Sequence, residues 1–167
     1  STDITATING FAQSPPASAL LDDQEWIDAC YAADTVEQIV ANLRSHGGEP
    51  AGKAAAAIEL KSPVAVKVAL RSLRLAREQG LHEALDVEYR VSTAAFNSHD
   101  LVEGIRAQVI DKDRNPAWDP ATLDQAGAAL VDSYFRPLGA DELGLGADEL
   151  GSGRTQRRDN TVMGATQ

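Results

Sequence analysis

Residues 62–80, which read SPVAVKVALRSLRLAREQG, decide the fold class of this chain. Ser62 can cap a helix, and Pro63 suits the first helical position because proline has no amide hydrogen to leave unpaired there. Gly80 is placed to end the helix. Apolar residues recur at a spacing of three and four, as on one helix face; they are Val66, Ala69, Leu70, Leu73 and Ala76. The stretch predicts an amphipathic helix that packs this stripe, including Leu73, against the core.

Helix signals recur through the rest of the chain. Asp22, Asp34 and Asp100 each stand three places before a glutamate, a spacing typical of helix starts. Asp119-Pro120 repeats the pattern of Ser62-Pro63. No segment alternates polar and apolar residues for long enough to predict a strand. We therefore predict an all-α fold, with helices near 22–32, 35–45, 51–60, 63–79, 81–96, 100–110 and 120–135.

The two ends differ in character from this helical part. Residues 1–20 contain Ser14-Pro15-Pro16 and no sustained periodicity, which predicts an extended arm or linker. Residues 138–167 are rich in Gly, Asp and Glu and repeat GADELG at 139 and 146, and we predict a flexible, mobile tail there. A single helical domain is expected over 21–137.

Composition limits the classes of partner. The chain has 25 acidic and 15 basic residues, a net charge of −10, which disfavours binding to nucleic acid or to an anionic membrane surface. No run of about 18 apolar residues predicts a membrane span. The first residues lack a signal-peptide pattern, and the single cysteine, Cys30, suits a reducing compartment. These features predict a cytoplasmic protein.

The sequence contains three histidines that are candidates for catalysis. His99 and Asp100 are adjacent, but neighbours on a helix point apart, so we interpret Asp100 as a helix cap. His46-Gly47-Gly48 resembles an oxyanion-binding turn, yet no nucleophile follows it, and a loop between helices is expected. His82 has no nearby companion and is expected at the surface. No catalytic residue is assigned.

A metal site is not predicted. Asp111, Asp113 and Asn115 have the spacing of a calcium loop, but Pro116 stands where that loop needs glycine and Thr122 where it needs glutamate. Cys30 has no CxxC partner and is expected to be a small buried hydrophobe. No metal or cofactor is therefore expected.

Positive charge is concentrated in one stretch. Between residues 61 and 77 there are five basic side chains and no acidic ones, namely Lys61, Lys67, Arg71, Arg74 and Arg77. Solvated or internally paired charge is one interpretation. A phosphate-bearing ligand or another protein surface is the other.

Several phrases in order resemble one family. They are residues 62–71 (SPVAVKVALR), 88–92 (EYRVS), 99–107 (HDLVEGIRA) and 110–118 (IDKDRNPAW), with 30–39 and 135–143 as further matches. Over residues 20–145 the chain resembles the C-terminal half of the 3-hydroxyisobutyryl-CoA hydrolase family, in the crotonase superfamily. The resemblance implies an irregular set of helices.

The resemblance also implies a function. Such helices pack on an N-terminal crotonase core of the same enzyme, help close its acyl-CoA pocket and make subunit contacts, so a homo-oligomer is expected. The core carries the catalytic groups, and the complete enzyme converts 3-hydroxyisobutyryl-CoA to 3-hydroxyisobutyrate and CoA in valine catabolism. This chain alone is not expected to be catalytic. Acyl-CoA is expected to be the substrate of the complete enzyme and not a cofactor.

Three residues follow from the resemblance as candidates for contacts. Lys112 is nearest to the basic positions that approach CoA phosphates in crotonase relatives. Lys67 and Arg71 are expected to form ion pairs with acidic residues of the N-terminal crotonase core. Leu73, in the apolar stripe of the same helix, is expected to pack there as well.

Alternatives stay open at this point. The chain resembles enoyl-CoA hydratases and isomerases of the same superfamily as well. A noncatalytic packing or oligomerisation module is a second hypothesis, because an uncovered apolar face tends to self-associate. A helical DNA-binding domain is the least favoured, since the one basic stretch is short and the whole chain is acidic.

Overall fold

The computed structural model describes residues 4–14, 16 and 18–145, which form helices and no strand. The predicted all-α class is confirmed. The α-helices are α1 (Ile4–Phe11), α2 (Ala19–Asp22), α3 (Gln24–Tyr31), α4 (Val36–His46), α5 (Glu49–Glu59), α6 (Pro63–Ala76), α7 (Leu81–Phe96), α8 (His99–Ile105) and α9 (Ala128–Ser133). A π-helical turn, Arg106–Ile110, continues α8, and a 3-10 turn spans Gly139–Asp141. None of these helices is long and apolar enough to cross a membrane.

The chain divides into two compact units between Leu60 and Lys61. This boundary lies inside the range 21–137 for which a single domain was predicted. In the first unit α4 packs against α3 and α5. In the second unit α6 packs against α7 and α9.

The extended arm predicted for residues 1–20 is wrong at Ile4–Phe11, which forms α1. Ile4, Ile8 and Phe11 follow one another at four and three positions, the spacing of one helix face. The proline and serine signals begin only after this segment. All three apolar side chains are exposed, so α1 presents an apolar stripe to solvent.

Helix α4 supplies three of the six buried apolar residues in the described part of the first unit, namely Val36, Ile39 and Leu43. The Thr35 hydroxyl accepts a hydrogen bond from the Gln38 amide at 3.2 Å and caps the helix, one position after the predicted Asp34. Gly47 ends α4 with φ of +75°, a backbone conformation that favours glycine. Leu43 is completely buried, and Cys30 is buried as predicted. The expected loop between two helices consists of Gly47 and Gly48, and His46 is the last residue of α4.

Helix α6 exists as predicted, but it buries the other face. Val64, Val68 and Ser72 are buried, whereas Leu73 is 70% exposed. Val64 and Val68 join Ala126 and Val131 in the second unit's core. The predicted stripe was wrong because α6 is apolar on two opposite faces, and periodicity alone could not tell which face the rest of the chain covers.

Helix α7 also leaves large apolar side chains uncovered. Asp86 and Val87 are buried, while Leu81, Leu85 and Tyr89 are exposed. The interior side of α7 therefore contains a carboxylate, which accepts a hydrogen bond from the Leu145 amide.

The helix predicted at 100–110 is present, whereas the one predicted at 120–135 is shorter than expected. Residues 99–110 form α8 and the π-helical turn, and Ser98 rather than Asp100 caps α8 by accepting from the Leu101 amide at 3.3 Å. Within 120–135 only Ala128–Ser133 is helical. Turns occupy most of residues 119–126, and Gly127 is the N-cap of α9.

Part of the predicted flexible tail is held in place. Arg90 Nε donates to Glu142 Oε1 at 2.8 Å, and the Leu145 amide donates to Asp86 Oδ1 at 2.9 Å. The Leu138 amide and the Arg90 guanidinium lower the pKa of the Glu142 carboxyl. Residues 138–145 therefore contact α7, and the flexibility expected for 138–167 stays a prediction. Residues 146–167 lie outside the described residues.

Candidate functional site: an apolar groove with a polar rim

An open groove of about 570 Å³ lies along the second unit. One wall is the outer face of α6, with Ala65, Val66 and Ala69. The other wall runs along α8 and the π-helical turn and includes Ile105, which is 46% exposed, and Val109, which is 62% exposed. These side chains form a continuous apolar surface that nothing in the described part of the chain covers.

Trp118 forms part of the groove because Gly104 has no side chain. A Cβ built on Gly104 would lie 3.4 Å from the Trp118 ring. The indole therefore rests close to the backbone of α8. A β-branched residue at 104 would occupy the space that the ring uses.

Asp100 is the centre of a hydrogen-bond network at the groove rim. Its Oδ2 accepts from the Ser62 hydroxyl, and its Oδ1 accepts from the Asp119 amide at 2.9 Å. The same Oδ1 lies 3.0 Å from His99 Nδ1. The prediction that His99 and Asp100 point apart was wrong. Both lie in the first turn of α8, where side chains lean towards the helix N-terminus and can meet.

This network does not form a nucleophilic triad. Nucleophilic catalysis by serine needs histidine between the hydroxyl and the carboxylate. Here Asp100 is bonded to both Ser62 and His99, and the Ser62 oxygen also accepts from the Ala65 amide at 3.1 Å. Asp100 raises the pKa of His99 through its hydrogen bond. The side chain of His99 remains half-exposed beside a second, smaller cavity of about 260 Å³.

Arg106 gathers three carboxylates at the end of α8. Its Nε and Nη2 donate to Glu103 at 2.8 Å each, and its Nη1 donates to Asp111 at 2.6 Å and to Asp113 at 2.7 Å. Nη2 also reaches the Asn115 carbonyl at 3.2 Å. The spacing of Asp111 and Asp113, which suggested a calcium loop, thus serves an arginine. No group of metal-binding side chains occurs among the described residues.

The Arg106 contacts shift the pKa of the groups around them. The Arg106 guanidinium and the Ala117 amide lower the pKa of Glu103 to about 2. The same guanidinium lowers the pKa of Asp113, and the carboxylates raise that of Arg106. Glu103 is therefore ionised and able to pair with Arg106 at neutral pH.

Lys112 lies in the loop that follows, where the backbone is unusual. Lys112 has φ of +58° and Arg114 has φ of +54°, a region that only a few per cent of residues other than glycine adopt. Both residues are exposed. Neither basic side chain has an ion-pair partner in the part of the chain that the structure describes.

Lys67 and Arg71 contact their own chain. Lys67 Nζ donates to the Leu123 carbonyl at 2.8 Å and to the Ala126 carbonyl at 3.0 Å. Arg71 pairs with Asp132, and its guanidinium carbon lies 4.3 Å from the ring centroid of Phe135. Both basic residues therefore anchor the turns before α9 and α9 itself to α6.

A family model for enoyl-CoA hydratase/isomerase matches residues 1–135. The chain belongs to the enoyl-CoA hydratase/isomerase family. The 3-hydroxyisobutyryl-CoA hydrolase of Gallus gallus is 39% identical over 127 residues, which are 75% of this chain and 33% of that protein. The corresponding hydrolase of Mus musculus is 41% identical over 117 residues, 70% of this chain and 30% of that protein. Both relatives are named as mitochondrial.

Solved structures of this family have the same fold. A carnitinyl-CoA dehydratase of Mycobacterium thermoresistibile is 51% identical with a TM-score of 0.72, over 76% of this chain and 36% of that one. An enoyl-CoA hydratase of Rhodobacter sphaeroides is 34% identical with a TM-score of 0.74, and the match covers 84% of this chain and 43% of that one. The suspected membership of the crotonase superfamily is confirmed. The chain spans about a third of the length of the curated relatives that it matches.

Sequence reasoning missed two parts of this site. Arg106 was not singled out, although three acidic residues at 103, 111 and 113 surround it in the sequence. The contact of Gly104 with Trp118 had no local signal in the sequence. The two residues are 14 positions apart, and Trp118 lies outside the helix that contains Gly104.

Proposed function

We propose that this chain is the helical portion of an acyl-CoA thioester hydrolase and that its groove packs on a catalytic core and closes the acyl-CoA pocket. The groove carries the proposal. An uncovered apolar groove rimmed by polar side chains is typical of a surface that contacts a partner or a ligand. The core is the part that the hydrolase relatives have in addition to the matched third.

The reaction would be hydrolysis of 3-hydroxyisobutyryl-CoA, as the names of the curated relatives suggest. Water attacks the thioester carbonyl, the carbon–sulfur bond breaks, and 3-hydroxyisobutyrate and CoA leave. We assign no catalytic residue in this chain. Its role is to exclude water from the apolar side of the pocket and, through Lys112, to approach a CoA phosphate. The cytoplasmic location predicted from the sequence stays a prediction beside relatives named as mitochondrial.

A chimera tests the proposal. The matching third of the Gallus gallus hydrolase is replaced by this chain, and thiol release from 3-hydroxyisobutyryl-CoA is measured. The proposal expects activity in the chimera and none in the chain alone. Ala69→Glu, which puts a carboxylate into the groove, should abolish or strongly reduce release. Ala41→Glu makes the same change on the exposed side of α4 and is the matched control.

Two results would count against this role. Thiol release by the chain alone would mean that it holds a catalytic site. Equal activity of the Ala69→Glu and Ala41→Glu chimeras would mean that the groove does not contact the core.

Hydration or dehydration of an enoyl-CoA is the alternative reaction. The 51% identity with a carnitinyl-CoA dehydratase structure favours it. A second chimera, in which this chain replaces the matching part of the Rhodobacter sphaeroides enoyl-CoA hydratase, is assayed with crotonyl-CoA, with loss of the conjugated double bond as the readout. Hydration in this chimera, with no thiol release in the hydrolase chimera, would favour that branch of the family.

A noncatalytic oligomerisation module is the second candidate function. It is favoured by the apolar side chains of Leu81, Leu85, Tyr89 and Phe96, all exposed on α7. Sedimentation velocity of the chain alone at rising concentration tests it. A single monomeric species at every concentration would exclude self-association through this helix.

A further inference from the structure

The sequence around residue 145 contains a repeat that the proposed function does not explain. Residues 138–145 read LGADELGL and residues 145–152 read LGADELGS, so the two segments agree at seven of eight positions and share Leu145. The structure describes the first copy. A shift of seven residues along the chain therefore presents the same residue types in the same order.

The first copy is bound to α7 at two places. Arg90 Nε donates to both carboxylate oxygens of Glu142 at 2.8 Å, and the Glu142 side chain is only 20% exposed. The Leu145 amide donates to Oδ1 of the buried Asp86 at 2.9 Å. Asp86 and Arg90 are one helical turn apart and face the same side of α7. Together they form one binding surface, the Asp86–Arg90 site.

The first copy owes its shape to its own sequence. The Leu138 amide donates to Glu142 Oε1 at 2.7 Å, and a 3-10 turn spans Gly139–Asp141. Gly139 and Gly144 have φ of +64° and +73°, which glycine adopts without a steric penalty. These features let a short segment present a carboxylate and a backbone amide to the same helix.

The second copy has a residue for each of these functions. The counterparts are Glu149 for the carboxylate, Gly146 and Gly151 for the two glycines, and Leu145 and Ser152 for the two amides. Serine in place of leucine at the last position keeps the contact with Asp86 available, because Asp86 accepts from the backbone amide at that position.

We propose that the Asp86–Arg90 site binds an acidic segment of the form LGADELG and that residues 145–152 are a second ligand for it within the same chain. Exchange of the two copies moves the tail by seven residues along α7 and keeps a carboxylate on Arg90. Neither Asp86 nor Arg90 lines the apolar groove, so this binding site is independent of the proposed function.

The second copy is close to the site of its own chain. Leu145 is held on Asp86, and Glu149 follows four residues later, within about 14 Å of extended chain. The first copy has the shorter connection to α9, residues 134–137, whereas the second would use residues 134–144. The entropy of closing the longer loop favours the first copy about fivefold, and the structure contains that copy at the site.

The test is the proton–nitrogen NMR signal of Arg90 Nε–H, assigned by its absence in Arg90→Lys. Glu142→Ala should leave this signal at its carboxylate-bound position, because Glu149 takes the place of Glu142. Glu142→Ala/Glu149→Ala should shift it to the position of an unpaired guanidinium. Glu142→Ala/Glu25→Ala also removes two carboxylates, one of them exposed in the first unit, and should keep the bound signal.

Glycine variants test whether the second copy adopts the shape of the first. Gly151 corresponds to Gly144, whose φ of +73° is strained for valine. In the Glu142→Ala background, Gly151→Val should therefore shift the Arg90 signal to the unpaired position. Gly153→Val, one residue beyond the second copy, is the matched control and should keep the bound signal. Circular dichroism of each variant checks that the helices remain.

Three outcomes would overturn the proposal. An unpaired Arg90 signal already in Glu142→Ala would mean that the second copy does not bind. A bound signal in Glu142→Ala/Glu149→Ala would mean that another carboxylate holds Arg90. A bound signal in Glu142→Ala that disappears on dilution would mean that the second ligand comes from another molecule.

Discussion

The hydroxyl of Ser62, at the start of α6, donates to Asp100 in the first turn of α8, 38 positions further along the chain. The same oxygen of Ser62 accepts from the Ala65 amide and caps α6. One small side chain therefore starts one helix and binds another. The connection also fixes one end of the apolar groove, since both residues line it.

Ser62→Ala should destabilise the chain by about 1–2 kcal/mol, because it removes a helix cap and leaves Asp100 with one donor fewer. Urea unfolding followed by circular dichroism measures the change. Ser45→Ala, on the exposed side of α4, should stay within about 0.5 kcal/mol of the parent chain. Equal losses in the two variants would contradict the dual role of Ser62.

Leu43→Ala and Leu73→Ala should differ strongly in stability. Leu43 is completely buried in the first unit, so its truncation should cost about 2–5 kcal/mol. Leu73 is 70% exposed, and its truncation in the chain alone should cost less than about 0.5 kcal/mol. Urea unfolding of both variants provides the comparison. If Leu73→Ala loses as much stability as Leu43→Ala, Leu73 is buried, as the apolar stripe in the sequence predicted.

Stability should fall as the pH drops through the range in which Glu103 becomes protonated. Its pKa is lowered from 4.5 to about 2 by the Arg106 guanidinium and the Ala117 amide. Between these values the unfolded chain binds more protons than the folded one, so the contribution of Glu103 is complete above pH 4.5 and is lost towards pH 2. Asp113 and Glu142, whose pKa values are also lowered, act in the same direction.

Urea unfolding at a series of pH values between 7 and 2 measures this dependence. Glu103→Gln should be less stable than the parent at pH 7 and should show a shallower decline in acid. Asp141→Asn, an exposed carboxylate elsewhere in the second unit, is the control. A parallel decline in parent and Glu103→Gln would mean that the ion pair with Arg106 does not contribute to stability.

Gly104→Val should displace the Trp118 ring. A Cβ at 104 would already be in van der Waals contact with the ring at 3.4 Å, so we expect the methyl groups beyond it to crowd the ring. In a Trp26→Phe background, Trp118 fluorescence should shift to longer wavelength as the indole becomes more exposed. Gly52→Val, where a Cβ would meet nothing within 4 Å, is the matched control for the loss of glycine in a helix.

Much of the fold could be predicted from local signals. Ser62-Pro63 starts α6, Gly47 ends α4 in the left-handed conformation that glycine adopts most easily, and the absence of strand-like alternation excludes a sheet among the described residues. These features depend on a residue and its near neighbours along the chain, so a single sequence contains the information. The ordered phrases from Ser62 to Trp118 were enough to identify the superfamily.

Tertiary structure alone decided which helix faces are buried and where the charges meet. In α6 the pair Val64 and Val68 and the pair Val66 and Leu73 both fit the helical period. Only the first pair is buried, because it packs against Ala126 and Val131. Glu103, Asp111 and Asp113 are spread over 11 residues, yet one guanidinium gathers them because the loop after the π-helical turn folds back, with the Arg114 amide donating to the Ala107 carbonyl. Periodicity specifies that a helix has an apolar side, whereas contacts between distant residues determine what that side and its charges touch.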